Sequence, residues 1–99
     1  MKKKYKTFKD LEWNKNISIF SYEPKERARI DFDNEYSISV IYGGGAYGDR
    51  ENPYECAIWK NNKLCYDTNI TDDVIGYCNE KKVTKIMKQI QKLKQVKEK

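Results

Sequence analysis

The chain has 99 residues, 20 Lys+Arg against 15 Asp+Glu, a net charge of +5, three cysteines and no histidine. That length supports one domain with a modest core, and no apolar run approaches the roughly 20 residues that span a bilayer. Three cysteines with no C-x-x-C pair and no histidine exclude the common zinc sites and a Cys–His or Ser–His nucleophile, so buried structural thiols are expected.

The charge is segregated. Residues 1–9 carry five lysines and no acid, residues 80–99 carry eight lysines and two acids, and the middle therefore holds −6. Basic ends around an acidic body argue against a uniformly basic nucleic-acid binder, although either end can act as an electrostatic arm. The Lys-rich start is not followed by the apolar stretch of a secretory signal, so an intracellular, cytoplasmic protein is expected. One domain over 1–99 is expected, ordered over about 7–93, with a mobile arm at 1–6 and a mobile tail at 94–99.

In chain order, Ile17–Phe20 reads as a short strand and Pro24 breaks it. ARIDF (Ala28–Phe32) and YSISVIY (Tyr36–Tyr42) alternate apolar with polar residues, the mark of half-buried strands. A three-residue loop, Asp33-Asn34-Glu35, pairs Phe32 with Tyr36, Ile30 with Ile38 and Ala28 with Val40, which buries one consistent face. Arg29, Asp31, Ser37 and Ser39 then face water.

IYGGGAYGDRENPY (Ile41–Tyr54) follows, with Gly43, Gly45 and Gly48 spelling G-x-G-x-x-G. A dinucleotide cradle needs a helix to begin inside that spacing, whereas Asp49, Asn52, Pro53 and a strand come next. A mobile connecting loop of about ten residues is expected instead. Tyr47, Asp49, Arg50 and Glu51 at its tip are candidate partner-binding residues. YECAIWK (Tyr54–Lys60) and KLCY (Lys63–Tyr66) form a second hairpin about Asn61-Asn62, apolar on both sides and so central or covered on both faces. Cys56, Ile58 and Cys65 share one side; Ala57, Trp59, Leu64 and Tyr66 share the other.

DTNITDD (Asp67–Asp73) imitates a calcium loop but has Asp72 where glycine is needed and Cys78 in place of the closing glutamate, so no metal is expected. It reads as a capping turn with Thr71 as N-cap, ended at Gly76. The last element is a helix from about Lys81 with Asn79 as N-cap; Val83, Ile86, Met87, Ile90 and Leu93 make its apolar stripe. Lys81, Lys85, Lys88 and Lys92 form a ridge opposite, a candidate phosphate track together with Lys2, Lys3, Lys4 and Lys6. The carboxylates show no paired spacing suited to acid/base catalysis, so neither an enzyme nor a cofactor is expected.

TFKDLEW near the start, ARIDFDNEYSISV, the Gly/Tyr-rich loop and CYDTNITDDVIGY together resemble a family of small proteins encoded by bacteriophages and prophages. An FDNGYG-like hairpin and a YDTPITDDVIGYL-like segment recur in that family. The likeness covers roughly residues 7–93, with Asp72–Tyr77 its most specific part. Glu35 stands where the family favours glycine, and Asn69 where it favours proline. The resemblance implies a phage accessory protein that binds and blocks a host or defence-system protein, such as an anti-CRISPR inhibitor of a CRISPR effector. The alternative is a nucleic-acid-binding module. The expected fold is α+β: about four antiparallel strands in two hairpins against one C-terminal helix.

Overall fold

In a computed structural model, the structure describes residues 5–15, 23–65, 68, 70 and 74–93. It is an α+β fold in which one antiparallel sheet backs onto one C-terminal helix. A single 3₁₀ turn, Phe8–Asp10, precedes β1 (Trp13–Lys15). Then come β2 (Glu26–Asp31), β3 (Tyr36–Tyr42), β4 (Tyr54–Lys60), β5 (Lys63–Leu64), β6 (Ile75–Cys78) and α1 (Glu80–Gln91). The sheet order is β1-β2-β3-β4-β5, with β6 also paired to β4. Among the described residues there are six strands where about four are expected, because β1 and β6 are short and lack the length over which alternation can be read.

The first hairpin has the register that core burial demands: Ala28 opposes Val40, Ile30 opposes Ile38, and the Phe32 amide donates to the Tyr36 carbonyl at 2.9 Å. The loop turns through Glu35 at φ 74°, left-handed backbone that glycine adopts without cost. The Asn61-Asn62 turn has both residues left-handed, φ 51° and 66°, as a two-residue primed turn requires. β4 is central, and its Cys56 and Ile58 lie with Ala28, Ile38 and Val40 in a fully buried layer under Val83, Ile86, Met87 and Ile90 of α1.

The opposite sheet face is less covered than the apolar second hairpin suggests. Trp59 and Ala57 are half-buried there and Leu64 is exposed. Trp59 is held in place by polar groups: its Nε1 donates to Ser39 Oγ at 3.0 Å, and the Arg29 guanidinium stands 4.9 Å from its ring centroid. Ser37 is buried on this face and donates to Asp31 Oδ1 at 2.6 Å.

Two buried amides fasten the helix. Asn34, in the first hairpin loop, donates from Nδ2 to the carbonyls of Ile90 and Leu93 at 2.8 and 2.9 Å, capping the C-terminal end of α1. Gln91 exchanges hydrogen bonds with the backbone of Lys6, 2.9 Å each way. At the other end Asn79 accepts the Lys82 amide at 2.8 Å, the expected N-cap. Half-buried Phe8, Trp13, Tyr42 and Tyr54 pack ring against ring, with centroids 5.1 to 5.9 Å apart, at the margin of the core.

The expected strand at Ile17–Phe20, Tyr66, the Thr71 cap, Lys2–Lys4 and the tail at 94–99 lie outside the described residues. No helix of the described residues is long and apolar enough to cross a membrane.

Candidate functional site: a tyrosine and lysine shelf

The glycine segment connects β3 to β4, and no helix starts within it. It is also not the loose connection expected from its composition. Gly43 and Gly44, at φ 81° and 57°, turn the chain, and the Ala46 amide returns to the Gly43 carbonyl at 3.1 Å. Asp49 Oδ1 accepts the amides of Glu51 (3.1 Å) and Asn52 (2.8 Å), while the Asp49 amide donates to the Asn52 carbonyl. Glu55 of β4 accepts the Tyr47 amide at 2.8 Å. Gly48 sits so close to Pro53 that a Cβ there would meet the Pro53 carbonyl oxygen at 2.4 Å. The segment is a folded turn with Tyr47 at its exposed corner.

This turn is bonded to β6. The Tyr77 amide donates to the Tyr47 carbonyl at 2.8 Å, and a Cβ on Gly76 would come within 2.6 Å of Tyr47 Cβ. The helix-ending role expected at Gly76 is therefore replaced by a strand whose glycine admits the neighbouring turn.

β6 contains a bulge, and the bulge decides where its side chains go. Cys56 opposes Ile75, but Tyr54 opposes Cys78, so one extra residue is inserted into β6. Tyr77, at φ 55°, absorbs it. Without the insertion, strict alternation would put Cys78 on the outer face. With it, Cys78 is fully buried and Tyr77 is 61% exposed.

The outward Tyr77 leads directly to α1. Tyr77, Asn79, Lys81, Lys82 and Lys85, with Asn52 from the turn, line a concavity of about 600 Å³. Tyr47, 59% exposed, stands beside it through the backbone bond to Tyr77. Tyr77, one of the three exposed large apolar side chains among the described residues, therefore adjoins three lysines, and Tyr47, another of the three, is bonded to it through the backbone.

Of the loop-tip candidates, Tyr47 is joined to Tyr77 through its backbone carbonyl; Asp49 spends one carboxylate oxygen on its own turn, and Arg50 and Glu51 project at the exposed bend. Of the basic ridge, Lys81 and Lys85 line the concavity, Lys88 is exposed farther along α1, and Lys92 lies 5.8 Å from the Tyr5 ring centroid. Lys82, Asn52 and Tyr77 were not singled out by the sequence. The glycine preceding Tyr77 in IGYC was the one available sign that the backbone is closely approached there.

Other groups with shifted acidity lie away from the shelf. Tyr42 donates to Glu26 and its phenol is raised above its ordinary value by that bond first and by burial second; Tyr54 is raised by burial and then by Glu80 and Glu26. Beneath β6 the buried Cys56 thiol is raised by its interaction with Cys78 and then by burial, and Cys78 is lowered by Cys56, while Cys78 Sγ donates to the Ile75 and Gly76 carbonyls at 3.6 Å each. No group of three or more His, Cys, Asp or Glu side chains suited to a metal ion occurs among the described residues.

No protein-family model, curated protein or solved structure matches the chain.

Proposed function

We propose that this chain is a non-enzymatic accessory protein of a bacteriophage or prophage that binds and inhibits a host or defence-system protein, a CRISPR effector being the type example. The observation that carries the binding role is the joining of Tyr47 to Tyr77 beside Lys81, Lys82 and Lys85. Tyrosines bring large contact area at small entropic cost and are enriched in protein interfaces, and flanking lysines favour an acidic partner. The turn is held by backbone and carboxylate bonds before any partner arrives, which lowers the ordering cost of binding. The phage setting rests on the resemblance of ARIDFDNEYSISV and CYDTNITDDVIGY to phage-encoded proteins.

Affinity capture from a bacterial host should recover one protein in stoichiometric amount, and a Tyr47→Ser/Tyr77→Ser chain that keeps its circular dichroism should lose it. If no protein is recovered, or the double variant still captures it, this role for the shelf fails.

A second reading is favoured by the same juxtaposition of exposed rings and lysines: a single-stranded nucleic acid could stack bases on Tyr47 and Tyr77 and place phosphates along Lys81, Lys85, Lys88 and Lys92. Fluorescence anisotropy with a labelled oligonucleotide separates the two. Affinity falling steeply between about 50 and 200 mM salt supports nucleic acid. No salt-sensitive binding removes it.

A further inference from the structure

Neither backbone nor packing calls for tyrosine at position 77. The residue holds left-handed backbone at φ 55°, which glycine adopts freely, and its ring is 61% exposed, outside the core. Strained positions of this kind cluster where ligands bind.

Lys81, Lys82 and Lys85 are set against their own helix in a similar way. All three are exposed in the first two turns of α1, where the helix dipole disfavours cations and Lys81 repels Lys85 four residues on. Helix stability does not account for them. An anion seated among them would relieve both penalties.

Ring and cations meet in the concavity of about 600 Å³, whose other described walls are Asn52 and Asn79. No acidic residue lines it among those described; Glu80, the acid of the first helical turn, lines a separate concavity with Thr7, Phe8, Lys9 and Thr84. The volume lies within the range of small-molecule sites, about 300–1,000 Å³. An exposed aromatic ring beside three ammonium groups suits a flat ring that carries phosphates.

We propose that this concavity binds a nucleoside diphosphate, its base stacked on Tyr77 and its phosphates held by Lys81, Lys82 and Lys85. A diphosphate carries about three negative charges at neutral pH, about two of them on the terminal phosphoryl group, and three lysines balance them. A nucleic-acid strand would have to continue along Lys88 and Lys92, outside the concavity, whereas a nucleotide ends within it. The G-x-G-x-x-G glycines take no part. The inference goes beyond both readings of the shelf and rests on neither, since it needs no protein partner and no polymer.

The full-length protein is titrated calorimetrically at low ionic strength, without divalent metal, with ADP, pyrophosphate, adenosine and a single-stranded oligonucleotide of about ten residues. ADP serves for the class because every base presents a face for stacking. It should bind one to one, about 5- to 100-fold more tightly than pyrophosphate, the difference being the stacked base. Adenosine alone should not saturate. Tyr77→Ser should abolish the advantage of ADP and leave pyrophosphate binding intact, whereas Tyr77→Phe should keep it. Lys81→Gln/Lys82→Gln should weaken both ligands while leaving the free protein at least as stable, because two cations leave the positive end of the helix. In the unaltered protein ADP, and not pyrophosphate, should shift the Tyr77 ring resonances, a readout that needs no variant. No saturable ADP binding at millimolar concentration, equal affinity for ADP and for either pyrophosphate or adenosine, ADP binding untouched by the Tyr77→Ser or double lysine substitutions, or preference for the oligonucleotide would each overturn the proposal. No partner protein is present in the titration, so a failure of capture and a failure of this site are told apart.

Discussion

The Tyr77 amide is bonded to the Tyr47 carbonyl at 2.8 Å, and the intervening space is closed to any side chain on Gly76. In Gly76→Ala the new methyl would stand 2.6 Å from Tyr47 Cβ and 2.9 Å from the Tyr47 carbonyl oxygen, so the turn must move away from β6. We expect a loss of about 1–3 kcal/mol by urea denaturation, the range of an overpacked contact, together with loss of partner capture. Unchanged stability would mean that the turn yields without cost and the shelf is not rigid.

Tyr77 holds a left-handed backbone that costs a residue with a Cβ about 1–2 kcal/mol. Tyr77→Gly removes that strain while losing about 0.5–1 kcal/mol through the freer unfolded chain. Its stability should therefore equal or exceed that of the parent, and should exceed that of Tyr77→Ala, in which the strain remains. Binding should weaken in both. A Gly variant less stable than the Ala variant would show that the exposed ring, not the bulge, secures β6.

Glu35 is strained in the same way at φ 74°, and its side chain is exposed. Glu35→Gly should stabilise the fold by about 1 kcal/mol in thermal or chemical denaturation, with Glu35→Ala bringing no comparable gain. Equal effects of the two substitutions would assign the change to lost charge.

Asn34 Nδ2 bonds the Ile90 carbonyl near the end of α1 and the Leu93 carbonyl just beyond it. Asn34→Ala takes a donor from the Leu93 carbonyl and from the Ile90 carbonyl, which keeps the Leu93 amide at 3.0 Å, for an expected cost of about 1–2 kcal/mol. Asn34→Asp should be worse above about pH 4, where an ionised carboxylate faces carbonyl oxygens at the negative end of the helix, and should recover part of its stability in acid. A pH-independent deficit would place the defect elsewhere.

The phenols of Tyr42 and Tyr54 are both raised from an ordinary value of 10.0. The folded state thus holds these protons more tightly than the unfolded chain. Their contribution is fully present below pH 10.0 and is lost as pH climbs from there through the folded-state values. Alkaline denaturation should set in over that window, with tyrosinate absorbance rising in step with loss of structure. Tyr42→Phe should reduce the alkaline slope; an unchanged slope would contradict the assignment.

What the sequence disclosed followed from period and from burial on one face. Ala28, Ile30, Ile38 and Val40 allowed only one register, and the stripe Val83, Ile86, Met87, Ile90 admitted only one helix face. Asn79 and the Asn61-Asn62 turn were legible because a cap and a primed turn each demand particular chemistry. Strands β1 and β6 were not legible, since three or four residues are too few to show alternation and the bulge breaks it in β6. Half of the shelf was hidden for that reason: Tyr47 and Lys81 could be picked out, but their meeting through Tyr77 depends on a tertiary bond to a strand that alternation mispredicts. Asn34 as a helix cap was equally invisible, because its acceptors lie more than fifty residues away in the chain.

The arrangement of strands has a consequence for assembly. β3 and β4, the longest at seven residues each, are interior, whereas the flanks described are β1, of three residues, and β5 and β6, of two and four, sharing one side of β4. Such fragments offer few consecutive unsatisfied amides and carbonyls, and a bulge interrupts the longest of them. At these flanks the architecture resists extension of the sheet by a foreign segment or by a second copy, and leaves recognition to protruding side chains.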